Sequence, residues 1–302
     1  MKKTYSFNKC ISIKRQIESS QILKFKRFQK ITMALVFVFS FFAGCESDKN
    51  VSYSFFVAGH VYGAPRGKAI GVYDTLKNKF SMINSDSNIK FGIFTGDIVR
   101  SANKKSWDLI DKDLDLLKAP VHFSRGNHDG NLTTFESRYG KSYRFFEIKG
   151  DIHFILDSNI GGWNITRAQL SFFRETLNEK IGSVNNIFIY VHHVIWWTKT
   201  SKIRPNSRAG MADELTFWKD MAPILFDTNK PVFVFSGDVG AGKTNPYYSY
   251  EKHDNLTLIT SGMGGGLRDN IIITEVLNDQ SVKFRLIALN GEDINALGAL
   301  EK

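Results

Sequence analysis

The sequence predicts an α/β fold of layered sheets and helices, and three observations lead to it. From Tyr53 onward, short runs rich in β-branched and aromatic residues alternate with longer segments of helical period. Several of those runs end directly in small polar clusters, where α/β folds present their ligands. From Leu256 on the chain reads as strand after strand, which adds antiparallel pairs and makes the sheets mixed.

The expected strands are 54–58, 89–95, 121–124, 143–148, 152–156, 186–191, 232–236, 256–260, 271–276 and 282–289. Trp107, Ile110, Leu114 and Leu117 recur at helical spacing. So do Leu170, Phe173 and Leu177, behind an expected capping box of Thr166 and Gln169. A third helix is expected over 214–226, interrupted by Pro223. The 302 residues suit one large domain with a short appendage, and 42% hydrophobic content with 25 Phe is that of a packed protein.

The formal charge of +10 invites a nucleic-acid reading until it is located. Residues 1–44 hold nine basic side chains against the single acid Glu18, so only two of the ten net charges remain for the rest. That remainder gives no electrostatic footprint for nucleic acid. The basic stretch precedes the apolar run Met33–Phe42, too short for a membrane span of about 20 residues, and then Ala43-Gly44-Cys45. This is the layout of a secretion signal, with an uncleaved anchor helix as the alternative. Phe42-Ala43-Gly44-Cys45 resembles a bacterial lipobox, which implies a lipid anchor at Cys45 and an exported, membrane-anchored protein on the periplasmic or cell-surface face. The organisation expected is a signal or anchor segment over 1–44, a short linker at 46–50 and one domain over 51–302. Cys10 would leave with the leader, so the domain has neither a disulfide nor a cysteine for zinc.

Five strand ends carry the chemistry: Gly59-His60-Val61-Tyr62-Gly63, Gly96-Asp97, Arg125-Gly126-Asn127-His128-Asp129, His192-His193 and Gly237-Asp238. Singly, each has a plain structural reading as a turn, a loop or a packed histidine. Together they present the imidazole and carboxylate ligands that Mn, Zn or Fe accept.

TGD at 95–97, RGNHD at 125–129, VHH at 191–193 and SGD at 236–238 resemble the calcineurin-like metallophosphoesterase superfamily over roughly residues 53–290. Leu156-Asp157-Ser158 and Gln169-Leu170-Ser171-Phe172-Phe173 fit the same resemblance. It implies an α/β/β/α sandwich of two mixed sheets flanked by helices. It further implies a site for one or two divalent ions that clamps a phosphate ester and activates water. Carried onto this chain, Asp97 bridges the metals, Asn127 and His192 complete much of one position, and His128 is the acid at the leaving group. Arg125 becomes a candidate phosphate clamp, with a surface charge as its alternative.

Two motifs depart from the family's pattern. His60-Val61-Tyr62 stands where Asp-x-His is usual, and Gly237-Asp238-Val239-Gly240 where Gly-His-x-His is usual. One metal position keeps Asp97, Asn127 and His192, with Asp238 replacing a histidine. The other loses its ligand at Gly240 and retains, besides Asp97, only His60 and Tyr62. An imidazole and a carboxylate have in effect traded places across the cleft. Lys243, Arg66 and Lys68 are candidates for replacing the missing positive charge.

Residues 237–244 also satisfy the pattern G-x-x-x-x-G-K-[ST], which raises a phosphate-binding loop of a nucleotide-binding protein. Such a loop must open a helix, and Asn245-Pro246-Tyr247-Tyr248 is a poor start for one. The leading expectation is therefore a metal-dependent phosphoesterase, the alternative an inactive metal- or phosphate-binding protein of the same fold. Substrate choice is expected from the insertion 196–220, with its Trp196-Trp197 pair, and from the glycine stretch 262–266.

Overall fold

Two mixed β-sheets face each other across a layer of aromatic rings, and helices cover both outer faces. The computed structural model describes residues 50–67, 70–207, 214–241 and 248–290. In chain order these form β1 (Val51–Ala58), α1 (Asp74–Lys77), α2 (Phe80–Ser85), β2 (Ile89–Thr95), α3 (Lys104–Leu114), β3 (Val121–Ser124), α4 (Leu132–Tyr139), β4 (Arg144–Ile148) and β5 (Asp151–Ile155). There follow α5 (Arg167–Lys180), β6 (Ile187–Val191), a π-helical turn (Phe217–Met221) running into α6 (Ala222–Asp227), β7 (Val232–Ser236), β8 (Tyr248–His253), β9 (Leu256–Ser261), β10 (Asn270–Leu277) and β11 (Val282–Ala288).

One sheet has the order β11-β10-β1-β2-β3, the other β4-β5-β6-β7-β9-β8. Strands β1, β2 and β3 are parallel, as are β5, β6, β7 and β9, while the outer pairs are antiparallel. The α/β/β/α arrangement is therefore the observed one.

The two-residue period of a strand explains the layering. Phe55 and Val57 of β1 face Phe188, Tyr190 and Phe235 of the opposite sheet, whereas Phe56 and Ala58 face the helical side with Phe80, Trp107 and Ile110. On the other sheet, Ile187, Ile189 and Val191 turn outward to Phe173 and Leu177 of α5. Phe55 stacks on Phe91 at 4.9 Å between ring centroids and meets Phe188 edge-on at 5.2 Å. These are the offset and perpendicular geometries that ring quadrupoles favour. Because both faces of the central strands are buried, they read as continuous apolar runs.

The strand expectations hold to within a few residues at their ends, the usual scatter of boundaries. Four elements were not foreseen: α1, α2, α4 and the edge strand β8. Two local expectations are corrected. Thr166 caps α5 without a side-chain bond. Gln169 instead accepts from Asp157 N (2.6 Å) and donates to Asp157 O (3.0 Å), pinning the end of β5. The helix expected over 214–226 becomes a π turn and a short α6 with Pro223 in its first turn, where a missing N–H costs no intrahelical bond.

Candidate metal centre

The carboxyl ends of β1, β2, β3, β6 and β7 meet along one edge, and glycines set how closely. A Cβ on Gly237 would stand 2.2 Å from Thr95 O and 2.8 Å from Gly59 Cα, so the two sheets touch here backbone to backbone. A Cβ on Gly96, itself at φ +83, would stand 2.3 Å from His192 Nδ1. The residues after two of these glycines carry the strain: His60 and Asp97 adopt φ of 53 and 51. Non-glycine residues held there cost on the order of 1 kcal/mol each and concentrate at functional sites.

His192 is the centre of the cluster. Its Nδ1 lies 2.9 Å from Thr95 O, which can only accept, so Nδ1 carries the proton and Nε2 faces the site. Around Nε2 stand Asn127 Oδ1 at 3.0 Å, Asp97 Oδ1 at 3.3 Å and Asp238 Oδ1 at 3.9 Å. Burial disfavours the imidazolium, yet Asp97 and Asp238 outweigh it and hold His192 above its ordinary value. Burial, opposed by His192 and reinforced by Asp97, pushes Asp238 up to about 7. Two buried carboxylates around one imidazole, with no lysine or arginine in ion-pair contact among the described residues, form a set that suits a divalent cation. Asn127 is exposed and His128 half-buried, so the cluster opens to solvent on that side.

The other side of Asp97 is built differently. His60 Nε2 lies 3.6 Å from Asp97 Oδ2, and its ring sits 4.3 Å from that of Tyr62. Burial, against the pull of Asp97, draws His60 down to about 4, so it is neutral. Burial also holds the Tyr62 phenol above its ordinary range. At Gly240 the backbone has φ +97 and a Cβ would meet Met263 backbone at 3.0 Å, so the histidine usual at that place would be both strained and crowded. His60, expected as a metal ligand, lies beside Asp97, and neither of the two belongs to the tightest group. Among the described residues, the histidines and carboxylates whose ligand atoms gather within 4.8 Å of one another are His192, His193 and Asp238.

The remaining expected residues divide. His128 donates from Nδ1 to Arg100 O at 2.9 Å, while its backbone N–H donates to Asp97 Oδ1 at 3.2 Å. Arg125 is buried, donating from Nε to Asp157 Oδ2 and from Nη1 to Gly130 O, both at 2.8 Å. It is therefore not a surface charge, and Asp157 fixes its guanidinium in place. Asp129 takes N–H bonds from Ile98, Val99 and Gly126 and closes the turn that carries Asn127. Arg66 is exposed. Lys243 and Lys68 lie outside the described residues, as do Cys45 and the whole leader. Strand β8 begins at Tyr248, where the helix required by a phosphate-binding loop would run.

Three contributors were not legible. Ser207, from the insertion after β6, donates from N to Asp238 Oδ2 (3.2 Å) and from Oγ to Asp238 Oδ1 (3.3 Å). His193 stacks on Trp163 at 4.3 Å, with Ser158 Oγ 2.8 Å from its Nδ1. Burial, with His192 and Arg125 adding, holds His193 well below its ordinary value, so it is neutral. No sequence pattern announces Ser207 or Trp163, because loops deliver them, and Ser158 stands in the Leu156-Asp157-Ser158 run, which gave it no role at the site. Of the expected specificity elements, Trp196 is buried in the core against Phe217. The N–H groups of Gly264, Gly265 and Gly266 are taken by the Asp269 carboxylate.

Comparison with known proteins agrees with this fold. The sequence profile of the calcineurin-like phosphoesterase family matches residues 25–262. A dimetal phosphatase from Danio rerio superposes with a TM-score of 0.50 at 11% identity, covering 80% of this chain and 100% of that one. A purple acid phosphatase from seeds of yellow lupin (Lupinus luteus) gives 0.55 at 12% identity, covering 80% of this chain and 52% of that one. At those identities the likeness is one of fold. No curated protein matches the sequence significantly. With its profile match spanning most of the chain, the protein belongs to the calcineurin-like phosphoesterase family.

Proposed function

We infer that this protein hydrolyses phosphate esters with one well-made divalent cation position, formed by Asp97, Asn127, His192 and Asp238. The observation that carries the reading is the convergence of three side-chain oxygens on His192 Nε2 while Nδ1 is held by Thr95 O. Asp97, Asn127, His192 and Asp238 would hold a cation such as Mn, Zn or Fe, which would supply charge neutralisation at the carboxylates and phosphoryl oxygens and activation of water. The chain's own residues do the rest. Thr95 fixes the tautomer of His192. Ser207 orients Asp238. Arg100 O holds the His128 ring so that Nε2 is the nitrogen left for substrate, and in its cationic form that nitrogen donates a proton to the leaving oxygen.

The altered first and last motifs support a single position over two. Gly240 offers no donor, and His60 and Tyr62 pack on each other. The same changes favour a second reading, a protein that binds metal and phosphate without turnover. Elemental analysis and hydrolysis of an aryl phosphate with added Mn²⁺ separate these. One ion per chain, with turnover lost in Asp97→Ala, supports the first reading. Metal-dependent phosphate binding without turnover supports the second, and no bound ion overturns both.

Export and tethering through Cys45 belong to the same reading, supported by the basic stretch, the apolar run and the lipobox-like Phe42-Ala43-Gly44-Cys45. The substrate is then a phosphate ester met outside the cytoplasm.

A further inference from the structure

We propose that His193, alongside His192 and Asp238, is a direct ligand of the cation, so that the surviving position is rebuilt around two adjacent imidazoles and a carboxylate. This rests on the metal reading above and goes beyond it, because the family resemblance assigns a ligand role to His192 alone.

Three observations carry the assignment. A ligand atom of each of His192, His193 and Asp238 lies within 4.8 Å of the other two, and all three residues are buried. The His193 ring is held from both sides of its function. Trp163 stacks on its face at 4.3 Å and 14°, and Ser158 Oγ meets Nδ1 at 2.8 Å. Its Nε2, finally, is buried and makes no hydrogen bond. Buried ring nitrogens normally find a partner, and one left without is a signal that something else binds it. An outer partner on one nitrogen and a free lone pair on the other is how metal-bound imidazoles are oriented. His192 likewise has one nitrogen engaged, by Thr95 O, so each of the two successive imidazoles has an outer partner on Nδ1.

The chemistry follows from the donors. The family's pattern gives this position a histidine where the chain has Asp238, and His193 restores the imidazole lost there. Two imidazoles and a carboxylate select nitrogen-binding ions such as Zn²⁺, Co²⁺ or Fe²⁺ over Mg²⁺, which prefers oxygen alone.

Proton NMR of the Co²⁺-loaded full chain tests this independently of activity. The wild type should show two exchangeable, paramagnetically shifted imidazole N–H signals, from Nδ1 of His192 and Nδ1 of His193. His193→Gln should show one and bind Co²⁺ at least about tenfold more weakly, with its Mg²⁺ affinity nearly unchanged. His60→Ala should keep both signals. A single shifted signal in the wild type overturns the assignment of His193 while leaving the metal reading intact. That count needs no variant to fold. Equal loss of Co²⁺ and Mg²⁺ affinity in His193→Gln also overturns it, since a merely structural role acts on both ions. Failure of the wild type to take up Co²⁺ overturns the metal reading itself.

Discussion

His192 Nε2 lies 3.0 Å from Asn127 Oδ1, although 65 positions separate them, and with His192 neutral neither atom can donate to the other. The proton of the neutral ring is on Nδ1, committed to Thr95 O, and Asp97 Oδ1 adds another acceptor at 3.3 Å. Lone pairs facing lone pairs are stable only with a positive charge among them. A proton on Nε2 or a metal ion supplies it, and the two compete.

That competition sets the pH dependence of metal binding. Asp97 and Asp238 hold His192 above its ordinary value, and Asp238 itself is pushed up to about 7. Protons therefore occupy the site below neutrality. Mn²⁺ affinity should fall as pH drops from 8 to 6, by up to about tenfold per unit for each proton displaced. Isothermal calorimetry in buffers of different ionisation enthalpy should record proton release, and a pH-independent affinity would contradict the arrangement.

His128→Ala should lower kcat by about 10²–10⁴-fold on esters with poor leaving groups and far less on nitrophenyl esters, which leave without a proton. Metal affinity should hardly change, since His128 touches Asp97 only through its backbone N–H. A uniform loss across leaving groups would remove His128 from the acid role.

Gly237→Ala tests the junction of the sheets. Its Cβ would overlap Thr95 O at 2.2 Å, and backbone on both sides leaves no flexible group to yield. The cost should be about 1–3 kcal/mol, read as a lowered Tm, accompanied by weaker metal binding because Thr95 O also holds His192.

A buried polar chain between the sheets makes stability fall in acid. His153 lies stacked between Phe146 (4.8 Å) and Phe188 (4.7 Å), with Tyr53 and Tyr190 hydroxyls at its two nitrogens. Burial, with His122 adding, holds it well below its ordinary value of 6.5. The unfolded chain therefore binds the proton that the folded one refuses. The stability contributed is present above pH 6.5 and is lost as pH falls below it, by up to about 1.4 kcal/mol per unit. In urea titrations between pH 7 and 5, His153→Phe should decline less steeply than the wild type. Parallel curves would refute the linkage.

Cys45→Ser should abolish labelling by a palmitate analogue and release the protein from membranes, whereas Cys10→Ser should do neither. Labelling that persists in Cys45→Ser would exclude the lipobox reading.

How much of this was legible depends on where each side chain sits. His60, Asp97, Asn127, His192 and Asp238 stand at strand ends, so apolar runs terminating in Gly-Asp or His-His exposed them. The central strands were visible because both faces are buried. Strand β8 escaped because Tyr248, Ser249, Tyr250 and Glu251 are only half-buried at a sheet edge and carry no apolar run. Helix α4 escaped because Phe135 is its one buried residue. Gln169 was misassigned as a capping residue because sequence spacing cannot reveal a tertiary competitor, here the backbone of Asp157. Arg125 beside the Asn-His pair looked available for phosphate, and only folding shows Asp157 taking it.

The contact of Gly59 with Gly237 makes the site a socket whose shape is independent of its contents. Backbone meeting backbone sets the spacing, and the neighbouring side chains merely occupy it. An aspartate and a histidine can then exchange ends, or a neighbouring imidazole can be recruited, without re-siting either sheet. By the same logic the double exchange His60→Asp with Asp238→His is a modest engineering step on an unchanged chassis. Gly240, whose missing donor is enforced by its own backbone, marks where such retrofitting stops.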